Sequence, residues 1–205
     1  MKKTKVLLTL ACVVLLVAAS VMGTLAYLTS QDAVLNTFSV GSVSLSLDEQ
    51  DVDGSTTNAA RDKANTYHLM PGHEYTKDPT VHVNAASENS WIFVKVENGI
   101  AAYEAATSNE ENGYKTIADQ IAAKGWTKLD GVDNVYYKEY TKNGTGADLV
   151  VFEKFKIADD ANNVDGWATI NTQNTKINVI AYAVQKDGFD TASAAWGATF
   201  GASQQ

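Results

Sequence analysis

The histidines are the residues of this chain whose type best suits metal or acid–base chemistry: His68, His73 and His82. A zinc protease of the zincin type needs two histidines about four residues apart on one helix, with a glutamate after the first. Here His68 and His73 are five residues apart, and Pro71 between them disfavours a helix. Glu74 follows His73, but without the helix it cannot complete that arrangement. We expect exposed strand or turn histidines and no enzyme, since no serine or cysteine nucleophile motif is present either.

Carboxylates that could bind Ca²⁺ occur in two clusters. Their members are Asp48, Glu49, Asp51 and Asp53 before Gly54, and Asp159, Asp160 and Asp165 before Gly166. Neither cluster has the full spacing of an EF-hand loop. With Glu49 as the first position, Ala60 stands where the bidentate glutamate belongs. We expect solvated loop carboxylates and no cofactor, with Ca²⁺ as the weaker alternative.

Aromatic residues could form a platform for sugars. The candidates are the four tryptophans, Trp91, Trp126, Trp167 and Trp196, together with nine tyrosines. Such side chains more often fill the cores and edges of β-sandwiches. Sugar binding therefore stays the weaker interpretation.

The first 26 residues follow the pattern of a secretory signal peptide. Lysines precede an apolar run at 6–22, and Thr24 and Ala26 supply small side chains at the −3 and −1 positions of a cut. We expect cleavage between Ala26 and Tyr27. The run is also about as long as a short membrane span, so a retained anchor is the alternative. Cleavage predicts a secreted protein at the cell surface or in the extracellular matrix.

Charge and cysteine content narrow the partners of the mature chain. The signal holds three of the 16 basic residues and none of the 24 acidic ones, so the mature net charge is −11. Such a chain is a poor candidate for nucleic acid or anionic lipid. The one cysteine, Cys12, lies in the signal. The mature domain must therefore fold by packing alone, a pattern that suits secretion by a Gram-positive bacterium.

Short apolar runs separated by turn residues predict a mainly β fold, an antiparallel β-sandwich. We expect strands or apolar pieces at 38–47 (with a bend at Gly41), 67–70, 80–83, 91–96, 135–140, 148–157 and 176–185. In the strand at 91–96, Ile92, Val94 and Val96 should look into the core. Asn143-Gly144 predicts a hairpin between 135–140 and 148–157. The strand at 176–185 is apolar on both faces, which predicts a central position.

Two segments break the β pattern. Ile117 and Ile121 recur at helical spacing within 114–124, and Gly125 follows as a stop signal. Asp190-Thr191 could cap a short C-terminal helix at 192–200. A polar loop is expected at 48–64.

Several motifs carry a resemblance to a known family. They are Gly23-Thr24-Leu25-Ala26-Tyr27-Leu28-Thr29, Asn36-Thr37-Phe38-Ser39-Val40-Gly41, the stretch from Met70-Pro71-Gly72 to Lys77-Asp78-Pro79-Thr80-Val81, and Ile180-Ala181-Tyr182-Ala183-Val184-Gln185. With them the chain resembles the proteins with a SipW-dependent-type signal peptide, which include the TasA and camelysin biofilm-matrix fibre proteins. The resemblance spans nearly the whole chain. Residues 99–131 look like a variable helical insertion within a single domain at 37–205.

The resemblance implies a jelly-roll-like β-sandwich, secreted through a signal peptidase of the SipW type and assembled into extracellular fibres. In such fibres the freed N-terminal strand of one subunit fills a groove in the next copy. Here that donor strand would be 27–36, with Leu28, Val34 and Leu35 as its apolar contacts. Copies of the chain itself are then the main partner, with a possible accessory matrix protein. The alternative is a secreted or wall-associated binding module for glycan or a matrix protein.

Overall fold

The computed structural model describes residues 42–56, 60–105, 116–170 and 175–201, all within one compact unit, Gly41–Gln205. The predicted signal peptide at 1–26, its cleavage site Ala26–Tyr27, and the first part of the predicted strand at 38–47 lie outside these residues. The same holds for the donor strand at 27–36 with Leu28, Val34 and Leu35.

The described chain is mainly β with two α-helices, as predicted from the sequence. The strands are β1 Leu45–Gln50, β2 Arg61–Asp62, β3 Glu74–Thr76, β4 Thr80–Val83, β5 Ser90–Asn98, β6 Glu104–Ala105, β7 Thr127–Lys128, β8 Val135–Tyr140, β9 Ala147–Val150, β10 Lys154–Ile157 and β11 Ile177–Gln185. The helices are α1 Ile117–Ala123 and α2 Ala192–Thr199. Short 3-10 turns occupy Ala101–Tyr103, Ala161–Asn163 and Trp167–Thr169. Among the described residues, no helix is long and apolar enough to cross a membrane.

The strands form three antiparallel sheets. Their orders are β2-β1-β4-β9, β3-β10-β6 and β11-β5-β8-β7. Side chains from all three sheets meet in one apolar core, so the architecture is consistent with a β-sandwich. The jelly-roll arrangement stays a prediction.

Strand β5 carries a buried side chain on nearly every residue, because both of its faces are covered. Ile92, Val94 and Val96 enter the main core, as their alternation predicts. Trp91 and Phe93 point the other way and enter a second cluster beneath α2.

Helix α2 covers the outer face of the β11-β5-β8-β7 sheet. It begins after Thr191, whose Oγ1 accepts a hydrogen bond from the Ala194 N–H at 3.2 Å. Trp196 packs on Phe93 with ring centroids 5.1 Å apart. The predicted C-terminal helix is therefore confirmed, and it packs on the sheet face opposite the main core.

Helix α1 confirms the predicted inserted helix. Thr116 and Asp119 form a reciprocal capping box at its start. Its buried Gln120 accepts the backbone N–H of Glu153 at 3.0 Å and donates to the Lys154 carbonyl at 2.8 Å. Residues of the 99–131 stretch also supply β6 and β7, so the parts of this stretch that the structure describes are integral to two sheets.

The predicted hairpin around Asn143-Gly144 is wrong. The turn itself forms, because the Asn143 Oδ1 accepts the N–H groups of Thr145 and Gly146, each at 2.9 Å. However, β8 and β9 lie in different sheets, and β9 pairs with β4. Gly146 permits this crossing: a Cβ at its position would lie 2.3 Å from the Val83 carbonyl oxygen.

The predicted single strand at 148–157 is also wrong, since it divides into β9 and β10 in separate sheets. Val151 and Phe152 lie between the two strands, and both are fully buried in the main core. The predicted polar loop at 48–64 is too long as well. Strand β1 continues to Gln50, and β2 pairs with its last two residues.

The central position predicted for 176–185 is wrong too. In the described part of the chain, β11 pairs with β5 alone and lies at the edge of its sheet. The main core covers one of its apolar faces and α2 covers the other, so within the described residues these faces do not require a strand on each side. The open edge of β11 forms part of the site described next.

Candidate functional site

A cleft of about 960 Å³ opens between β1 and β11. Residues of both strands and of the main core line it. The principal apolar members are Leu45, Leu47, Ile100, Phe155, Ile177 and Val179. A polar end is formed by Glu49, Lys77 and the segment 63–67.

Both strands present an unpaired edge within the described residues. From Leu45 to Asp48, β1 pairs with β4 on one side, and β2 reaches only Glu49 and Gln50 on the other. Strand β11 pairs with β5 only. Free N–H and C=O groups along such edges can accept a further strand.

The apolar side chains of β11 that face the core are not fully enclosed. Ile177 and Val179 are half-buried, whereas Val94 and Val96 on the neighbouring β5 are 0% and 5% exposed. Leu45 and Leu47 of β1 are also half-buried while contacting the core. An apolar group that entered the cleft would remove this surface from water, which favours binding.

A buried ion pair closes the polar end of the cleft. The Lys77 ammonium contacts a carboxylate oxygen of Glu49, and their side chains are 10% and 6% exposed. Asn65 donates from Nδ2 to the other Glu49 oxygen at 3.0 Å. The Lys77 Nζ also lies 5.9 Å from the centre of the Tyr67 ring. Burial, with the nearby Glu49 charge, raises the pKa of the Tyr67 hydroxyl, so this group stays neutral.

Two lysines at the rim differ from Lys77. Lys63 directly follows β2, Lys176 directly precedes β11, and both line the cleft with exposed side chains. Within the described part of the chain, neither makes a salt bridge. The rim therefore carries positive charge that the cleft itself does not neutralise.

Charged side chains cross the sheet that contains β1. The His82 Nε2 lies 2.9 Å from Asp48 on β1, and its Nδ1 lies 2.6 Å from Asp148 on β9. Arg61 contacts Asp48 and donates to Asp78 at 2.9 Å. The hydrogen bond to Asp48, more than the one to Asp148, raises the pKa of His82, although partial burial opposes it. These contacts join β2, β1, β4 and β9.

His68 and His73 do not have the arrangement on one helix that a zincin requires. Residues 71–72 form a turn between His68 and His73, and both histidines are exposed. The described residues contain no group of three or more histidine, cysteine or acidic side chains placed to hold a metal ion.

The first acidic cluster is engaged by its own loop. Asp51 accepts hydrogen bonds from Gly54 N at 2.7 Å and from Thr56 N at 3.0 Å. The Thr56 hydroxyl also donates to Asp51, and together these bonds lower the pKa of Asp51 to about 2. Asp53 accepts from Thr66 N at 2.6 Å. These carboxylates order the loop beside the polar end of the cleft.

The tryptophans do not form an exposed sugar platform. Trp91, Trp126 and Trp196 are 8%, 3% and 3% exposed, and Trp167 is half-buried. The Trp91 and Trp126 Nε1–H groups donate to the carbonyls of Phe189 and Val150 at 3.1 and 2.8 Å. Their rings act mainly in packing.

The cleft was not among the sites predicted from the sequence. Its lining comes from segments more than a hundred residues apart, and its apolar members look like ordinary core positions in the sequence. One signal was available in the sequence: Lys77 lies between the apolar pieces predicted at 67–70 and 80–83, close to the second. Comparisons of the chain with family models, curated proteins and solved structures found no match.

Proposed function

We propose that this protein is a secreted structural subunit of extracellular, biofilm-type fibres. In the fibre, residues 27–36 of one copy lie as a strand in the cleft between β1 and β11 of the next copy. Signal cleavage between Ala26 and Tyr27, by a signal peptidase of the SipW type, frees this strand outside the cell. Assembly is thus coupled to secretion.

One observation supports the proposal: the cleft combines half-buried apolar side chains with two strand edges that have no pairing partner among the described residues. Addition of a strand to such an edge is a recurring mode of peptide recognition. The main-chain groups provide the hydrogen bonds, and alternate side chains of the added strand provide apolar contact. The proposed occupant also matches in length, since β11 has nine residues and 27–36 has ten.

The proposed donor has the apolar residues that the cleft requires. Leu28, Val34 and Leu35 are its aliphatic side chains, and full burial of each stabilises by about 1.5–3 kcal/mol. Val34 and Leu35 are adjacent, so on a regular strand only one of them faces the cleft. The other contacts a different surface of the assembly.

Electron microscopy and circular dichroism of two proteins test this function. We expect mature protein starting at Tyr27 to form fibres, and the variant that lacks 27–35 to stay folded and monomeric. The described domain begins at Ser42, so this deletion removes none of its strands. Fibres from the shortened variant would refute assembly through this segment.

A second candidate function rests on the volume of the cleft. A value of about 960 Å³ also falls within the range of small-ligand sites. The alternative is a secreted or wall-associated module that binds a glycan or a segment of another matrix protein. A mature protein that stays monomeric until such a ligand is added would favour this alternative over the fibre subunit.

A further inference from the structure

We infer that Asp32 of one copy enters the cleft of the next and pairs with Lys63 and Lys176 at its rim. This contact fixes the register of the donor strand. The inference rests on the proposed function and adds to it the residue that selects one alignment among several.

The charge distribution of the N-terminal region is the first observation. Between Lys5 and Asp48, Asp32 is the only charged side chain. Apart from the α-amino group that cleavage would create at Tyr27, the donor therefore carries a single charge. Because its other side chains are neutral, Asp32 is the side chain that can fix the position of the donor strand by a charge interaction.

The geometry of a strand is the second observation. Side chains of a regular strand alternate between its two faces, so in the proposed donor strand Leu28, Asp32 and Val34 would share one face. When Leu28 and Val34 contact the apolar lining, Asp32 enters the cleft with them. A carboxylate that loses water there needs a cation as its partner.

The third observation is which cations remain available. Lys77 is already paired with Glu49 inside the protein, and Arg61 is held by Asp48 and Asp78. Lys63 and Lys176 line the same cleft, are exposed, and make no salt bridge within the residues that the structure describes. Their long side chains can reach a carboxylate at the rim.

Pairing at this one point distinguishes the possible registers. A slip by one residue turns Asp32 to the opposite face, away from the cleft. A slip by two residues keeps the face but moves the carboxylate by roughly 7 Å along the strand, which is too far for the same contact. Only one alignment then satisfies the apolar and the charged contacts together.

Seeded fibre growth of full-length mature protein provides the test. The set comprises wild type, D32N, D32K, and the charge-swapped triple variant D32K/K63E/K176E. The control D32K/K128E reverses one lysine that lies outside the cleft lining, the exposed Lys128 of β7, and it is compared also with D32K/K63E and D32K/K176E, which each reverse one lysine of the rim. Growth rates are compared at low salt and at 1 M NaCl, and circular dichroism verifies folding.

We expect D32K to grow at least about tenfold more slowly than wild type, because attraction becomes repulsion. The triple variant should recover to within about threefold of wild type, whereas D32K/K128E should not recover. The advantage of wild type over D32N should vanish at 1 M salt, where the Debye length is about 3 Å.

Two failures can be told apart. If wild-type fibres grow and the deletion of 27–35 stops them, but D32K grows normally or the triple variant stays slow, the Asp32 pairing is wrong and the fibre function stands. If mature wild type forms no fibres under any of these conditions, the proposed function fails and the pairing fails with it.

Discussion

Lys77 and Glu49 form an ion pair inside the protein, at the polar end of the cleft, with side chains 10% and 6% exposed. Glu49 is on β1, and Lys77 lies between β3 and β4, where its N–H donates to the Glu153 carbonyl at 3.0 Å. The pair thus joins β1 to the chain that connects two sheets, and it holds one wall of the cleft.

Removal of one member of this pair should destabilise the fold strongly. We expect Lys77→Met to lower the free energy of unfolding by about 3–5 kcal/mol, because Glu49 is then a buried charge without its cation. The double variant K77M/E49M should be closer to wild type, since no charge is left unpaired. Urea unfolding followed by circular dichroism measures both.

A matched control for this prediction is Lys154→Met. Lys154 pairs with Glu74 at 2.8 Å, but its side chain is 43% exposed. Such surface pairs contribute about 0–1 kcal/mol. If Lys77→Met and Lys154→Met lowered the free energy of unfolding equally, burial of the Lys77–Glu49 pair would not be the cause of the predicted loss.

His82 should make stability depend on pH. Its pKa in the folded protein is raised by Asp48 and Asp148, so the charged form is favoured by folding. The added stability is complete below the ordinary pKa of about 6.5 and is lost as pH rises through the higher folded value. We expect the urea midpoint of wild type to fall over this range, and that of His82→Asn to fall less. His68→Asn, which alters an exposed histidine, should behave as wild type.

Of two adjacent residues in β11, one should be essential for fibre growth and the other should not. Val179 contacts the core and lines the cleft, whereas Ile180 faces the other side and is 36% exposed. We expect Val179→Asp to stop fibre growth, because an inserted strand would bury the new charge. Ile180→Asp should leave growth within about threefold of wild type, since exposed substitutions have small effects. Normal growth of Val179→Asp would place the contact elsewhere.

Asp51 should titrate well below an ordinary aspartate. Hydrogen bonds from Thr56 are the main cause, and they lower its pKa to about 2. Its carboxyl carbon in NMR spectra should keep the chemical shift of the ionised form down to about pH 3. In Thr56→Val the side-chain donor is lost, so the pKa should move toward its ordinary value. An unchanged pKa in that variant would contradict the assignment of the cause.

The signal pattern predicts the N-terminus of the secreted protein. Thr24 and Ala26 occupy the −3 and −1 positions, so N-terminal sequencing should find Tyr27, to within about two residues. The substitution Ala26→Leu should slow processing, because signal peptidases require a small side chain at −1. Material in the medium that still begins at Met1 would refute this prediction.

Local patterns in the sequence were sufficient to predict the class of fold and several elements. Alternation at 91–96 correctly predicted that Ile92, Val94 and Val96 enter the core, because side chains of a strand take opposite faces whatever its partners are. The helical spacing of Ile117 and Ile121 predicted α1 for a similar local reason. The signal peptide and the donor strand also follow from local patterns, and they stay predictions.

Tertiary structure alone decided which strands are neighbours and which edges stay open. The two apolar faces of β11 suggested a central strand. In the structure, the main core covers one face and α2 covers the other, although β11 is an edge strand among the described residues. Asn143-Gly144 forms its turn, yet contact with Val83 takes the chain into another sheet. The cleft follows from these pairings. Hydrogen bonds between strands join residues that are far apart in the chain, and they leave no periodic pattern in the sequence of either strand.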